Sequence, residues 1–382
     1  MFSLILLASL LQCEIFFKED FSGDWQQRWI QSDVKQGNDR GEFAIEPPKK
    51  TPNKETNKGL KTKKDGAFYQ ISADIGKTLN FVNKTFIFSY TIKNEQELRC
   101  GGTYIKLLSE KAKQAEFGSD SPFKLMFGPD ICGSEKDRMQ FILRKHKKEY
   151  HSGTPPKCKN DHRTHLYTLI MRPDVTYEIH IDGKTEIKSK LYQDFPGIYP
   201  RPTIADPTVE KPADWSEQKM IPDPNVTKPA DWDQPMTIPD TNAVKPKDWD
   251  EATNGPWIQP RKPNPKYKAT WHPPLVENPN YQGKWKAPQV PNPAYEEKKN
   301  SLGLKGIRYV GIDVMQKESG TIFNNFFIGD NMTEYKEFVK QRWDPVRRYE
   351  ERNSSSGSKS ESQKSNNNIH IDNSDDDDNV DL

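Results

Sequence analysis

Proline constrains this chain more than any other residue type. Of the 30 prolines, 21 fall between Pro196 and Pro293, and six of the nine tryptophans fall in the same stretch. Proline removes a backbone donor and fixes φ, so such a stretch cannot build a wide sheet. Its residues nevertheless recur in phase. The units IADPTVEKPADW, IPDPNVTKPADW and IPDTNAVKPKDW set Trp215, Trp232 and Trp249 at a period of 17. The units GPWIQPRKPNPKY, ATWHPPLVENPNY and GKWKAPQVPNPAY set Trp257, Trp271 and Trp285, with Tyr267, Tyr281 and Tyr295, at a period of 14. A polyproline linker has no need of a tryptophan at a fixed phase in every unit, whereas a repeat architecture does. Each unit has too few apolar groups to bury a core alone. We therefore expect a hairpin arm over residues 204–296, three units running out and three back, with each Trp packed on Pro, Tyr and Lys stems of the opposing unit. At roughly 3 Å per extended residue its 93 residues, folded in half, reach on the order of 100 Å. The turn is expected at Asn254-Gly255.

Either side of the arm the chain reads as all-β. In KTFIFSYTIKN, residues Phe86, Phe88, Tyr90 and Ile92 alternate, as they do when one strand face is buried. Asp182-Gly183 separates two alternating runs in TYEIHIDGKTEI and predicts a hairpin. After the arm, IRYVGIDVMQ and SGTIFNNFFIGD supply two further strands, too few for a domain of their own. They are expected to complete the sheets begun before the arm, giving a β-sandwich built from residues 14–203 and 297–350 with a long insertion. A helix is predicted from Thr333, as N-cap, to about Trp343, ending at Asp344-Pro345. Residues 351–382 are polar, finish DDDDNVDL, and read as disordered. With only 33% hydrophobic residues against 29% charged, one continuous core is excluded in any case.

Residues 1–13, MFSLILLASLLQC, hold an apolar run too short to cross a bilayer and read as a signal peptide. No later run reaches membrane-spanning length, so a soluble protein of the secretory pathway is expected. Past Cys13 remain Cys100, Cys132 and Cys158, and the sequence alone allows any of three pairings in an oxidising lumen. Sequons at Asn83, Asn225, Asn331 and Asn353 fit that compartment. The 57 basic and 55 acidic residues nearly cancel, which argues against a general nucleic-acid binder. Enzymatic readings find little support. Glycoside hydrolysis needs two carboxylates roughly 5–10 Å apart, and Glu178, His180 and Asp182 on one strand face lack the middle one. Cys158, His162 and His165 lack a fourth zinc ligand at the usual spacing.

The motifs FKEDF (17–21), CGGTYIKL (100–107), LMFGPDICG (125–133), THLYTLIMRPD (164–174) and SGTIFNNF (319–326), with the two repeat sets, resemble the calreticulin family of lectin chaperones. Its membrane-bound members, the calnexins, usually carry four repeats of each kind, so three of each point to the soluble branch. The resemblance implies a mainly β, concanavalin-like jelly-roll sandwich that binds the terminal glucose of monoglucosylated glycans on newly made glycoproteins. Carried over by position, the sugar contacts are Tyr104, Lys106, Phe123, Met126, Asp130, Ile142 and Asp313. Tyr104 and Lys106 lie two apart, so on a strand they share a face where a cation donates to hydroxyls and a ring covers an apolar sugar face. The resemblance also selects Cys100–Cys132 as the disulfide, leaving Cys158 free, with a stabilisation of roughly 3–4 kcal/mol for closing the loop. It implies Ca2+ at Asp20, Thr56, Lys58 and Asn324, and docking of a protein disulfide isomerase at an arm tip carrying Asp250, Glu251 and Trp257. It further implies a monomer of the endoplasmic reticulum lumen that is not an enzyme.

This chain departs from the family pattern in several places. Phe123 stands where Tyr is usual, and Met315 where Trp is usual, together costing about 1–3 kcal/mol of sugar affinity. Asn324 replaces a carboxylate, which weakens calcium binding unless Asp20 compensates. Ala252, Asn254 and Pro256 stand where tip acids are usual, which weakens steering of the isomerase. The C-terminus, Asn379-Val380-Asp381-Leu382, keeps only the last residue of a KDEL-type signal, and Asp375–Asp378 is a short acidic run. Met315, Phe123 and the unusual C-terminus favour an alternative: a secreted interaction protein, binding complement or other host proteins without a requirement for glucose.

Overall fold

The computed structural model describes residues 14–133, 137–297 and 301–365, the last segment with side chains through residue 354. The expected signal peptide and the end of the tail lie outside the described residues. The chain divides into two compact units. One comprises Met1–Pro202 with Asn292–Leu382, the other Thr203–Pro291.

The first unit is a sandwich of two eight-stranded sheets. One sheet runs Lys184–Lys190, Thr176–Ile181, Thr164–Met171, Phe86–Asn94, Thr321–Gly329, Gly59–Thr62, Phe43–Glu46, with Ile15–Glu19 also on Thr321–Gly329. The other runs Lys148–His151, Arg138–Lys145, Phe123–Cys132, Cys100–Gly102, Ser301–Gln316, Ala67–Val82, Trp29–Gln31, with Ile105–Ser109 between Phe123–Cys132 and Ser301–Gln316. The two strands that follow the proline-rich stretch thus enter one sheet each. Ser301–Gln316 pairs with Ala67–Val82, and Thr321–Gly329 pairs with Phe86–Asn94. Each replaces water at an open strand edge with a full ladder, which is why neither flank can be a finished body alone.

Period-two alternation explains the core. Phe86, Phe88, Tyr90 and Ile92 face the sandwich interior, together with Leu107, Leu125, Leu143, Ile71 and Ile312 from the opposite sheet. The other face of Phe86–Asn94 is covered as well, because Ile87 packs with Ile170, Phe327, Tyr335 and Phe338. Tyr335 and Phe338 come from a helix, Met332–Arg342, whose Tyr335 hydroxyl shares a 2.6 Å hydrogen bond with Thr168 Oγ1. That helix is capped by Asn331, whose side-chain oxygen accepts from Thr333 N at 2.8 Å and Glu334 N at 3.4 Å, rather than by Thr333. Both residues are good caps, and the short polar side chain two positions upstream wins. The chain does break at Asp344-Pro345, but a second helix, Asp344–Ser365, begins there, since proline is accommodated in a first helical turn. Its Glu350 accepts from Thr164 N at 2.8 Å and Thr164 Oγ1 at 2.9 Å, and pairs with the buried Lys93 ammonium.

The Asp182-Gly183 hairpin forms as expected, both residues at positive φ (55° and 77°) between Thr176–Ile181 and Lys184–Lys190. Cys100 and Cys132 are directly opposite across paired strands and form a disulfide, and Cys158 is free.

In the second unit the chain runs out and back. Thr203–Ala205 pairs with Gln289–Pro291, Met220–Pro222 with Leu275–Glu277, and Thr237–Pro239 with Arg261–Pro263. Three-residue ladders are all that the prolines allow. The outgoing tryptophans lock the legs by donating their indole N–H groups: Trp215 to Gly283 O at 2.8 Å and Trp232 to Ala269 O at 2.7 Å, with Lys268 over the Trp232 ring. At the tip, Trp249 donates to Gly255 O at 3.0 Å, and Gly255 takes a positive φ of 70°.

His165 ties the hairpin to the sheet. It is buried, with Nδ1 2.7 Å from Asp182 and Nε2 2.7 Å from Asp161. Burial alone would lower its pKa, but the two carboxylates prevail and raise it above the ordinary 6.5. A raised folded pKa contributes stability that is complete below the unfolded value and is lost as pH rises through the folded one. In denaturant titrations the unfolding free energy should fall as pH rises above about 6.5, and His165→Gln should remove that decline.

Candidate functional site

The second sheet turns one row of side chains inward and the alternate row outward. Leu107, Leu125 and Leu143 enter the core, so Lys106, Met126 and Ile142 must point the other way. They are successive cross-strand neighbours, Lys106 opposite Met126 and Met126 opposite Ile142. Gly311 is opposite Lys106, which puts Asp313, two residues on, on the same outward face. Asp130 lies on it too, four residues past Met126.

These residues make one constellation. Lys106 Nζ lies 2.7 Å from Asp313 Oδ2, and both side chains are at least nine-tenths buried. Phe123, Met126 and Ile142 cluster with Leu108, Ala112 and Phe117, and the Tyr104 ring packs against that cluster. Tyr104 precedes the strand Ile105–Ser109 instead of lying on it, so strand alternation is not what sets its direction. Glycines make room for this residue, Gly102 for its ring and Gly128 for its backbone. A Cβ on Gly102 would fall 2.6 Å from Tyr104 Cε1, and one on Gly128, at φ 131°, would lie 2.8 Å from Tyr104 Cα. Burial, then the nearby Asp313 and Asp130 carboxylates, push the Tyr104 phenol well above its usual range, so it stays neutral and can donate.

Three residues absent from the sequence expectation complete the arrangement. Gln70 Nε2 donates to Asp313 Oδ1 at 2.9 Å, and Gln140 Nε2 donates to Asp130 Oδ2 at 3.0 Å. Arg144 and Lys106 both place cations over the Phe123 ring, at 5.0 and 5.4 Å from its centroid. The signal for Gln70 was available only once register was known, because Gln70 is directly opposite Asp313. Met315 is opposite Phe68 in the same register, and the half-buried Phe68 ring carries Lys35 Nζ at 4.2 Å.

The residues expected to bind calcium have other engagements. Asn324 Nδ2 donates to Lys58 O at 2.7 Å, and Asp20 Oδ2 lies 2.6 Å from Arg342 Nη2. Thr56 is held by its backbone N–H, which donates to Asn53 Oδ1 at 3.2 Å. With the Asn324 nitrogen turned to the Lys58 carbonyl, its oxygen taken by Asn325 N at 2.8 Å and the Asp20 carboxylate neutralised, this set as arranged does not fit a hard, oxygen-seeking cation. At the tip of the second unit, Asp250 caps the turn by accepting from Ala252 N at 2.9 Å and Thr253 Oγ1 at 2.6 Å, while Glu251 pairs with Lys245. Trp257 is half-buried. Glu178 is held by Arg172 at 3.1 Å and His180 at 3.0 Å, so it serves as an ion-pair partner.

The calreticulin family model matches residues 17–254 and 251–328, which includes both sheets and the repeats. The chain belongs to the calreticulin family. It is 45% identical to the calreticulin of Chlamydomonas reinhardtii over 333 residues, covering 86% of this chain and 79% of that one. It is 42% identical to the calreticulin of Onchocerca volvulus, covering 90% and 88%. Among solved structures it resembles the T. cruzi calreticulin globular domain at 26% identity and a TM-score of 0.56, covering 87% of this chain and 94% of that one. Among the described residues no helix of this family member is long and apolar enough to cross a membrane.

Breaking a buried ion pair by removing one partner strands the other charge, at a cost of about 3–5 kcal/mol. Asp313→Leu should therefore lower the unfolding free energy by roughly that amount in denaturant titrations, and adding Lys106→Met should restore most of it.

Proposed function

We propose that this calreticulin-family protein is a non-enzymatic lectin chaperone that recognises the terminal glucose of monoglucosylated N-glycans on glycoproteins folding in the endoplasmic reticulum. The observation that carries this reading is the outward-facing Lys106–Asp313 pair beside Tyr104, Asp130 and the apolar Phe123–Met126–Ile142 patch. A sugar offers hydroxyls that both donate and accept, and an apolar ring face. Lys106 supplies donors, Asp313 and Asp130 supply acceptors, and Tyr104 with the Met126–Ile142 patch supplies the apolar surface. Gln70 and Gln140 hold the two carboxylates in place before sugar arrives, which lowers the ordering cost of binding.

Phe123 contributes a ring without a hydroxyl, and its face is already occupied by two cations, so affinity should be modest. Docking of a disulfide isomerase at the tip of the second unit belongs to the same reading, with Trp257 as the apolar contact. Asp250 and Glu251 are committed to internal partners, so their charge steers such a partner only weakly.

Calorimetric titration with monoglucosylated and unglucosylated oligomannose tests the proposal. The glucose should strengthen binding at least tenfold, equivalent to about 1.4 kcal/mol, and Lys106→Ala should abolish the difference. Equal affinity for the two glycans would reject glucose recognition and turn the reading toward a secreted protein that binds complement or other host proteins through protein surfaces.

A further inference from the structure

We propose that an internal amide and an arginine replace the bound cation at the position where the family resemblance puts calcium, so that this body folds there without metal. The inference is independent of sugar binding.

Asn324 sits in Thr321–Gly329 beside the strand Gly59–Thr62, 8% exposed. Both ends of its side-chain amide are engaged from within. Its Oδ1 accepts from Asn325 N at 2.8 Å, and its Nδ2 donates to Lys58 O at 2.7 Å. These two bonds set the orientation of the amide, because only the oxygen can accept from a backbone N–H and only the nitrogen can donate to a carbonyl. The backbone carbonyl of Asn324 is also taken, accepting from Thr91 Oγ1 at 3.1 Å.

Consider a carboxylate at the same place. Its oxygen would meet the Lys58 carbonyl oxygen at hydrogen-bond distance with no proton between them, and two acceptors in such contact need a cation to hold them together. The amide removes that need, because its own N–H fills the gap. The strands cannot readily part to admit an ion in addition. A Cβ on Gly59 would already lie 2.6 Å from Ile322 Cγ2, 2.8 Å from Phe323 O and 3.1 Å from Asn324 Cβ, so the Lys58–Gly59 backbone is pressed against this strand.

Asp20 is the remaining carboxylate that could compensate. It is neutralised by Arg342, in the last turn of Met332–Arg342, at 2.6 Å, and its Oδ1 accepts from Ser22 N at 3.1 Å and Ser22 Oγ at 2.5 Å. A calcium ion would have to displace the guanidinium and turn the amide away from both its partners.

Thermal unfolding of the full chain in EDTA and in excess calcium tests this, using wild type, Asn324→Ala, and Asn324→Asp with and without Arg342→Gln. The wild-type midpoint should be the same in both buffers, or shift by an amount that Asn324→Ala leaves unchanged, as it would if calcium acts at Asp375–Asp378. Asn324→Asp should lower the midpoint in EDTA and calcium should raise it again, most fully with Arg342→Gln present. If Asn324→Asp does not fold without metal, its refolding yield with and without calcium is the readout. A calcium-dependent rise in wild type that Asn324→Ala abolishes overturns the proposal, as does an Asn324→Asp protein indifferent to calcium in both arginine backgrounds.

Discussion

A buried ion pair between residues 207 positions apart organises this molecule: Lys106, before the proline-rich repeats, and Asp313, after them, meet at 2.7 Å. Neither charge is tolerable in its surroundings without the other. The pair can form only when Ser301–Gln316 has docked between Ala67–Val82 and Ile105–Ser109, so the candidate sugar site and the closed sandwich come into being together. A site assembled this way reports on folding of both flanks, and a chain that fails to close the sheet has no site to offer.

The repeats were the most legible part of the sequence, because their signal is periodic and local. Phase alone indicated an out-and-back path, and the ladders pair the outgoing and returning units in that order. What phase could not supply was the bonding. The tryptophans act through indole N–H groups on Gly283, Ala269 and Gly255 carbonyls as well as through their rings. Strand alternation in Phe86–Ile92 was legible for the same reason, yet it could not reveal that the opposite face is roofed by Tyr335 and Phe338, which come from far along the chain. The helix cap shifted from Thr333 to Asn331 because two adequate caps stood close together.

The site divides in the same manner. Residue identities such as Lys106 and Asp313 could be carried over from motifs, whereas the side chains that hold them could not. Gln70 and Gln140 lie in segments with no motif, and they matter because register sets them opposite Asp313 and Gly128. Asn324 shows the converse. The sequence marked it as an exchanged carboxylate, but that the amide nitrogen would bond to the Lys58 carbonyl depends on the close approach of Gly59 to Thr321–Gly329.

Native-state hydrogen exchange in increasing denaturant addresses the central claim, that the two flanks form one cooperative body. Amides in Phe86–Asn94, Ala67–Val82, Ser301–Gln316 and Thr321–Gly329 should converge on a single opening free energy and denaturant slope. If Ser301–Gln316 and Thr321–Gly329 instead opened in a separate, weaker transition while the strands before the repeats stayed protected, the flanks would be independent and this account of the site would be wrong.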